Sequence, residues 1–410
     1  MPDGATGRLA PLRRNPGFAL LFWATAASSV GTYLAALALS VDIFDRTGSG
    51  RWLAVLLIAD FLPIVVIGIT LGPLVDRLSR RRLLIVSDLV RAVVFCLLPF
   101  AGSALLIVVL AGIQGIATGF FRPAVYAGMP NLVDDDQLEE ATSLLQTVEN
   151  LTWMIGPVVG GLVLFAQGPQ LAYWLNAVTF VLSAVLLARI PAGRLQAGKV
   201  ESRGHFRDIA DGFAVVLRSR PLRTVLVVWN VVMLGVGAIN VAEVALAKVA
   251  LDAGDVGFGI LVGAGGLGLT LGSFVSGRAI ERLGIGRVYF YGIALMAGGY
   301  AVAALASTIY VATPAVVVAA FGNGAAVVCN ALFIQRGAPD ELRGRAFTVI
   351  MSSTYATLGL GMVAAGWLTD AYGARWVWGG AAVAYLVAAF ITVVLAPRGQ
   401  QETADEAVAA

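Results

Sequence analysis

The sequence predicts an all-α membrane protein, with twelve transmembrane helices in two pseudo-symmetric six-helix bundles. Three observations predict it. The chain is 59% hydrophobic and 13% charged, with a mean hydropathy of +0.85, whereas a soluble domain carries roughly 25% charge. Long stretches hold no charge: Pro16 to Val41, Asn150 to Ala188 and Val288 to Gln335. Finally, GPLVDRLSRRR at 72–82 returns in weaker form as GRAIERLGIGR at 277–287, half a chain length later.

A spanning helix needs about 20 mostly apolar residues. In lipid every backbone polar group must be satisfied within the chain, so such runs are helices. The hydropathy places them at 17–42, 52–75, 83–101, 104–131, 140–167, 171–189, 223–247, 256–279, 287–306, 310–335, 345–370 and 375–396. Gly168-Pro169 supplies the turn between helices 5 and 6, and the chain folds back near Ser307 to Pro314 between helices 9 and 10. The basic start (Arg8, Arg13, Arg14) followed by a long apolar run reads as a retained first span, not a signal peptide. The expected divisions are an N-tail 1–16, a first bundle 17–190, a linker 191–222, a second bundle 223–396 and a C-tail 397–410. Cys96 and Cys329 have no metal spacing and read as packed thiols.

Of the 28 Lys and Arg, four (Arg46, Arg51, Lys248, Arg375) fall on one side of these spans, and Arg91 and Arg122 lie within them. The other 22 sit on the side of the termini. The positive-inside rule then puts both termini in the cytoplasm of a multi-pass inner-membrane protein. An offset of 205 residues carries Gly72 to Gly277, Asp76 to Glu281, Arg77 to Arg282, Gly156 to Gly361, Gly161 to Gly366 and Gly168 to Gly373. Six spans are duplicated into twelve, an arrangement typical of transporters, with the binding site expected near the midplane between the halves.

With these residues in view, GPLVDRLSRRR resembles the loop 2–3 signature of the major facilitator superfamily, and residues 277–287 its echo in loop 8–9. GPVVGG at 156–161 resembles the fifth-helix motif of the family's antiporters and exporters. SDLVRA (87–92), FRPA (121–124) and ELRGRAF (341–347) are similar to its macrolide-efflux and enterobactin-exporter branch. The resemblance covers essentially the whole chain and implies the major facilitator fold.

Asp76 closes helix 2 at the carbonyl end, where a negative charge is unfavourable. Arg77 and Arg80 to Arg82 supply cations, with topology anchoring as the plainer reading of the latter three. The family pattern implies a second partner at the start of helix 11, near Arg343 to Phe347, making a conformational latch. Gly72, Asp76, Arg77 and Arg81 form it, Asp88 and Arg91 support it as a pair three apart on one helix face, and Glu281 and Arg282 make a weaker counterpart.

Charges inside spans are costly and usually functional. Asp60, roughly 12 Å deep on helix 2, Glu149 on helix 5 and Glu243 on helix 7 are candidates for proton coupling, with Arg122 beside them. The plainer readings are a Glu243 that pairs with Lys248 or with loops on the Asp42 side as an outer gate, and an Arg122 that snorkels to the surface. In GPVVGG, Pro157 breaks a backbone bond while Gly156, Gly160 and Gly161 offer a small face. That face either packs closely against a partner or bends to block leak, with the glycine-rich helix 8 (Gly268, Gly272) as the facing helix. By family analogy helices 1, 4, 7 and 10 line the substrate cavity. The candidates are Thr25, Ser29, Tyr33, Gln114, Phe121, Arg122, Asn150, Trp229, Asn240, Asn323 and Asn330. Mostly apolar and aromatic walls suit a bulky amphipathic ligand.

The two lysines, Lys199 and Lys248, sit in no phosphate-binding loop, and no G-x-S-x-G or H-E-x-x-H occurs. His205 lies in the basic linker, whose 205–220 stretch reads as an amphipathic surface helix. The expectation is a non-enzymatic, proton-coupled exporter of hydrophobic or amphipathic small molecules such as drugs, macrolide-like natural products or siderophores. Its expected partners are protons, a small-molecule substrate and the lipid bilayer; no cofactor, metal or nucleic acid is expected, and the chain is expected to be a monomer. The rivals are a lysophospholipid carrier of the same fold and a non-transporting sensor.

Overall fold

The computed structural model describes residues 10–70, 78–195, 213–338 and 340–395, and among them the regular structure is helical throughout. A one-turn helix, Ala10–Arg14, precedes twelve long ones. These are α1 (Pro16–Thr47), α2 (Gly50–Thr70), α3 (Arg80–Leu97), α4 (Ala104–Gly128), α5 (138–167), α6 (169–188), α7 (Arg220–Ala245), α8 (Gly254–Leu283), α9 (Ile285–Leu305), α10 (Ile309–Gly337), α11 (Asp340–Tyr372) and α12 (Ala374–Leu395). Helices α5 and α6 are continuous in hydrogen bonding from Leu138 to Ala188, yet Gly168 adopts φ 71° and ψ −175°, which divides them. Gly373, 205 residues on, has φ 86° between α11 and α12. Only glycine adopts such positive φ without steric cost, so the duplicated turn requires it twice.

The duplication is visible in the helix starts. Arg80 and Ile285 open α3 and α9, and Ala104 and Ile309 open α4 and α10, each pair 205 residues apart. Counting α5 and α6 as one element, eleven stretches among the described residues are long and apolar enough to cross a membrane. Their outward faces carry large apolar side chains, among them Phe165, Phe274 and Leu305, as a lipid-facing surface demands.

The described residues cluster into two compact units, one within Met1–Thr47 and Val55–Glu201, the other within Gly48–Ala54 and Ser202–Ala410. The first turn of α2 thus clusters with the second unit. There Asp370 accepts from the Gly50 amide (2.5 Å), from Ser49 Oγ (2.8 Å) and from Arg51 Nε (2.7 Å).

In the first unit, Phe18, Leu21, Leu84, Phe121, Leu145 and Leu187 build an apolar core. At the far end of α1, Asp42 accepts from Arg46 Nε (2.6 Å) and Tyr173 Oη (2.9 Å) while Arg46 Nη1 reaches the Ala101 carbonyl (2.9 Å). Gly156 and Gly160 of α5 lie against Tyr33 and Leu34 of α1, where a Cβ on Gly156 would sit 2.7 Å from the Tyr33 Cβ. In the second unit, Trp378, Tyr289, Tyr385 and Phe333 are fully buried. Arg375 ties together the carbonyls of Ala250 (3.0 Å), Ala304 (3.0 Å) and Ala306 (2.5 Å), where two helices end. Cationic side chains are well suited to such carbonyl ends. Cys329 is a buried free thiol beside the Ile285 carbonyl, and Cys96 is half-buried.

Two packing expectations are corrected. Gly268 and Gly272 of α8 lie against the Val317 and Phe321 carbonyls of α10, so this glycine face serves a neighbour in its own unit and not helix 5. Lys248 pairs with Asp255 across the α7–α8 turn at 2.7 Å, so it is not the partner of Glu243.

Candidate functional site

Within the first unit, α1 to α5 surround a cavity of about 180 Å³. Helix α1 contributes Thr25, Ser28, Ser29, Thr32 and Tyr33, and α4 contributes Gln114, Thr118, Phe121, Arg122, Val125 and Tyr126. Both sets recur at three- and four-residue steps, so each forms one stripe of a helix. Asp60 and Ile64 from α2, Arg91 from α3 and Glu149 from α5 complete the wall.

Arg122 Nη2 lies 3.1 Å from Glu149 Oε2, and Tyr126 Oη donates to the same oxygen at 3.2 Å. The arginine side chain is 54% exposed and the glutamate 21%, so this pair borders open space and is worth little to stability. Arg91 is the opposite case. Its guanidinium is 3% exposed and bound to the fully buried Asp88. It stacks between the rings of Phe121 and Phe180, 4.1 and 4.3 Å from their centroids. A desolvated cation over two aromatic faces is favourable, and Asp88 neutralises the charge. Asp60 Oδ1 is buried without a hydrogen-bond partner.

The structure therefore gathers Thr25, Ser29, Tyr33, Asp60, Gln114, Phe121, Arg122 and Glu149 around one cavity. Arg91 joins them, and its expected pair with Asp88, three residues apart on α3, is present and buried. Ser28, Thr32, Ile64, Thr118, Val125 and Tyr126 complete the lining and were not singled out by sequence. Their three- and four-residue spacing from the nominated residues was the available signal. Apolar groups make up most of the surface of this lining, with Tyr33, Ile64, Phe121, Val125 and Tyr126 as its aromatic and aliphatic members among the polar and charged ones. The sparse polar residues of these apolar helices fall on the inward stripes, so composition averaged over a span conceals them.

The other nominated residues lie elsewhere. Trp229, Asn240, Asn323 and Asn330 belong to the second unit, where Trp229 and Asn330 are buried and Asn240 is exposed. Glu243 is half-buried on α7, close enough to Tyr300 of α9 to act on it electrostatically. Of the latch, Gly72, Asp76 and Arg77 lie outside the described residues, as do the side chains of Arg343 and Arg345, and those of Asn150 and Pro157. Arg81 donates to the Ala188 carbonyl at the end of α6, and Arg80 to that of Ala127 (2.9 Å) near the end of α4. The described contact of Arg81 is thus a cap on its own unit, a favourable place for a cation. Glu281 and Arg282 are exposed in the last turns of α8. Gly161 is buried on α5 beside Gly160.

The model of the family described as transmembrane secretion effector, a branch of the major facilitator superfamily, matches residues 6–409. The chain belongs to this family. Proteins similar to this chain include the multidrug efflux pump Tap of Mycolicibacterium fortuitum, 27% identical over 88% of this chain and 91% of that protein. Macrolide efflux protein A of Streptococcus pyogenes is 25% identical over 52% of this chain and 54% of its own length. Among solved structures, the nucleoside transporter NupG superposes with a TM-score of 0.73 at 14% identity, covering 92% of this chain and 98% of that one, a likeness of fold alone. Family and fold are those of multi-pass membrane transporters.

Proposed function

We propose that this transporter is a proton-coupled exporter that carries amphipathic small molecules out of the cell across the inner membrane by alternating access, with both termini in the cytoplasm. The observation that carries the reading is the cluster of Asp60, Glu149 and Arg122 around one cavity inside the membrane-spanning helices. Charges at that depth are costly and are kept where ions or substrates pass. The resemblance to pumps named for multidrug and macrolide efflux agrees with it. In this reading Glu149 exchanges Arg122 for a proton as the cycle turns, and Asp60 takes a proton or a substrate group. Glu243, in the second unit, is a third proton site. The protein works as a monomer, and the Gly156 to Gly161 segment of α5 bends to block leak during exchange. The inner latch at Gly72, Asp76 and Arg77 holds one state of the cycle.

The test is drug accumulation in a sensitive bacterial host, with and without an uncoupler. Expression lowers accumulation, the uncoupler abolishes the effect, and Asp60→Asn and Glu149→Gln each remove most of it while surface levels stay unchanged. Export that survives both substitutions and the uncoupler would overturn the proposal.

A further inference from the structure

Helices α3 and α6 run side by side and antiparallel in the first unit. Arg81 at the start of α3 donates to the Ala188 carbonyl at the end of α6. Phe95 packs on Phe180 in the middle, with ring centroids 5.7 Å apart. At the other end Phe100 meets Trp174, 6.1 Å apart and edge to face. On either side of this seam each helix presents an exposed apolar face. Val86, Leu89 and Val93 form that of α3, and Val178, Leu182 and Val185 that of α6. Each set steps by three or four residues, so each is one stripe of its helix.

At the Arg81 end both stripes finish in cations. Arg82 continues the α3 stripe four residues before Val86, and Arg189 continues the α6 stripe four residues after Val185; both are exposed. Arg194 is exposed too, one residue before the Leu195 carbonyl to which Arg80 donates (3.4 Å). Among the described residues the side chains of Arg82, Arg189 and Arg194 have no ion-pair or hydrogen-bond partner. Arg46, Arg51, Arg91, Arg122 and Arg375 each have one. From Arg82 to Val93, and from Arg189 back to Val178, is eleven residues, about 16 Å of helix. That is about half of the ~30 Å hydrocarbon core, the depth reached by the acyl chains of one leaflet.

The internal repeat separates this arrangement from a surface that is merely apolar. The offset of 205 carries Arg81 to Gly286, Arg189 to Val394, Phe100 to Leu305 and Trp174 to Gly379. Only Arg82 persists, as Arg287. Helices α9 and α12 are also long and apolar enough to cross a membrane, so contact with lipid alone would impose the same features on them. The copy lacks the arginine tie, the second cation and the aromatic pair.

We propose that the α3–α6 seam binds one anionic phospholipid from the leaflet on the side of the chain termini. Its phosphate is held between Arg82 and Arg189, with Arg194 beside them, and its acyl chains lie on the two apolar stripes. Arginine presents a planar fork of donors that matches phosphate oxygens. A zwitterionic head brings an ammonium to the same arginines and is disfavoured by like charge. A soluble phosphate ester has the charge but no chains to cover the apolar stripes. The site is separate from the cavity and independent of the export reading.

Native mass spectrometry of the full chain in detergent counts the bound lipid. The probes are dioleoyl phosphatidylglycerol and dioleoyl phosphatidylethanolamine, which share their chains. The expected result is one site that takes phosphatidylglycerol about tenfold more tightly. Arg82→Gln and Arg189→Gln each weaken it about fivefold, and both together about 25-fold. Arg287→Gln removes a charge from the same side of the second unit and leaves the site unchanged. Glycerol 3-phosphate at millimolar concentration does not displace the lipid. Both arginines are exposed, so the substitutions spare the fold, which thermal melting checks; either single variant suffices for the comparison with Arg287→Gln. Equal binding of the two lipids, equal losses in Arg287→Gln and the first-unit variants, or displacement by glycerol 3-phosphate overturns the proposal.

Discussion

Asp88→Ala isolates the Arg91 guanidinium in a setting from which water is excluded. In the wild type that cation is 3% exposed, Asp88 is 0% exposed, and Phe121 and Phe180 cover both faces. Removing one partner of a buried pair costs about 3–5 kcal/mol, because the remaining charge is left uncompensated. The two ring contacts survive and are worth up to about 2 kcal/mol each when desolvated, but they are present before and after the change and do not offset it. A unit of this size loses about 2–4 °C of melting temperature per kcal/mol. The expected fall is therefore roughly 6–20 °C, read by thermal melting of the purified protein in detergent. The double variant Asp88→Leu/Arg91→Met replaces the pair by apolar groups of similar bulk, which in buried pairs is often neutral. It should recover most of the lost stability while abolishing transport, since Arg91 lines the cavity. A single variant that costs less than about 1 kcal/mol, or a double variant as unstable as the single, would refute the reasoning that the charge is desolvated and compensated by Asp88.

Three further outcomes are expected. Glu149→Gln should alter the melting temperature little, because its partner Arg122 is 54% exposed and exposed pairs contribute about 0–1 kcal/mol; uncoupler-sensitive efflux should nevertheless fall sharply, and a large stability loss with transport intact would contradict this. Gly156→Ala should destabilise by about 1–3 kcal/mol, since the new Cβ would lie 2.7 Å from that of Tyr33 and overpacking typically costs that much; the change is read in the same melt. Arg375→Ala should lower the melting temperature because it strands the Ala250, Ala304 and Ala306 carbonyls, each orphaned buried acceptor costing about 1–3 kcal/mol. Arg375→Lys, with fewer and differently placed donors, should recover only part of it.

The architecture was legible in the sequence because its signals are cumulative. A twenty-residue apolar run admits one spanning structure, and the 205-residue offset tests each helix against its copy. Gly168 and Gly373 were readable as turns because position and residue type agreed, and both have positive φ. The site was legible only in part. Thr25, Ser29, Tyr33, Gln114 and Phe121 follow from helix periodicity once α1 and α4 are expected at the cavity. Ser28 and Thr32 are hidden because helices of a membrane protein tolerate hydroxyls that bond their own backbone. Thr32 Oγ1 donates to the Ser28 carbonyl at 2.7 Å, for example. The spacing of Asp88 and Arg91 announces a pair but not its depth, nor that Phe121 and Phe180 enclose the cation. Gly268 and Gly272 announce a close neighbour but not which helix it is, and only the fold names α10.

The most direct test of proton-coupled export is made in proteoliposomes containing the purified protein. An imposed inward-acid pH gradient, with ethidium outside and a proton-sensitive dye trapped within, should drive ethidium accumulation together with proton loss, and Asp60→Asn should abolish both. Ethidium movement indifferent to the gradient in the wild type, or identical in the Asp60→Asn protein, would contradict the account.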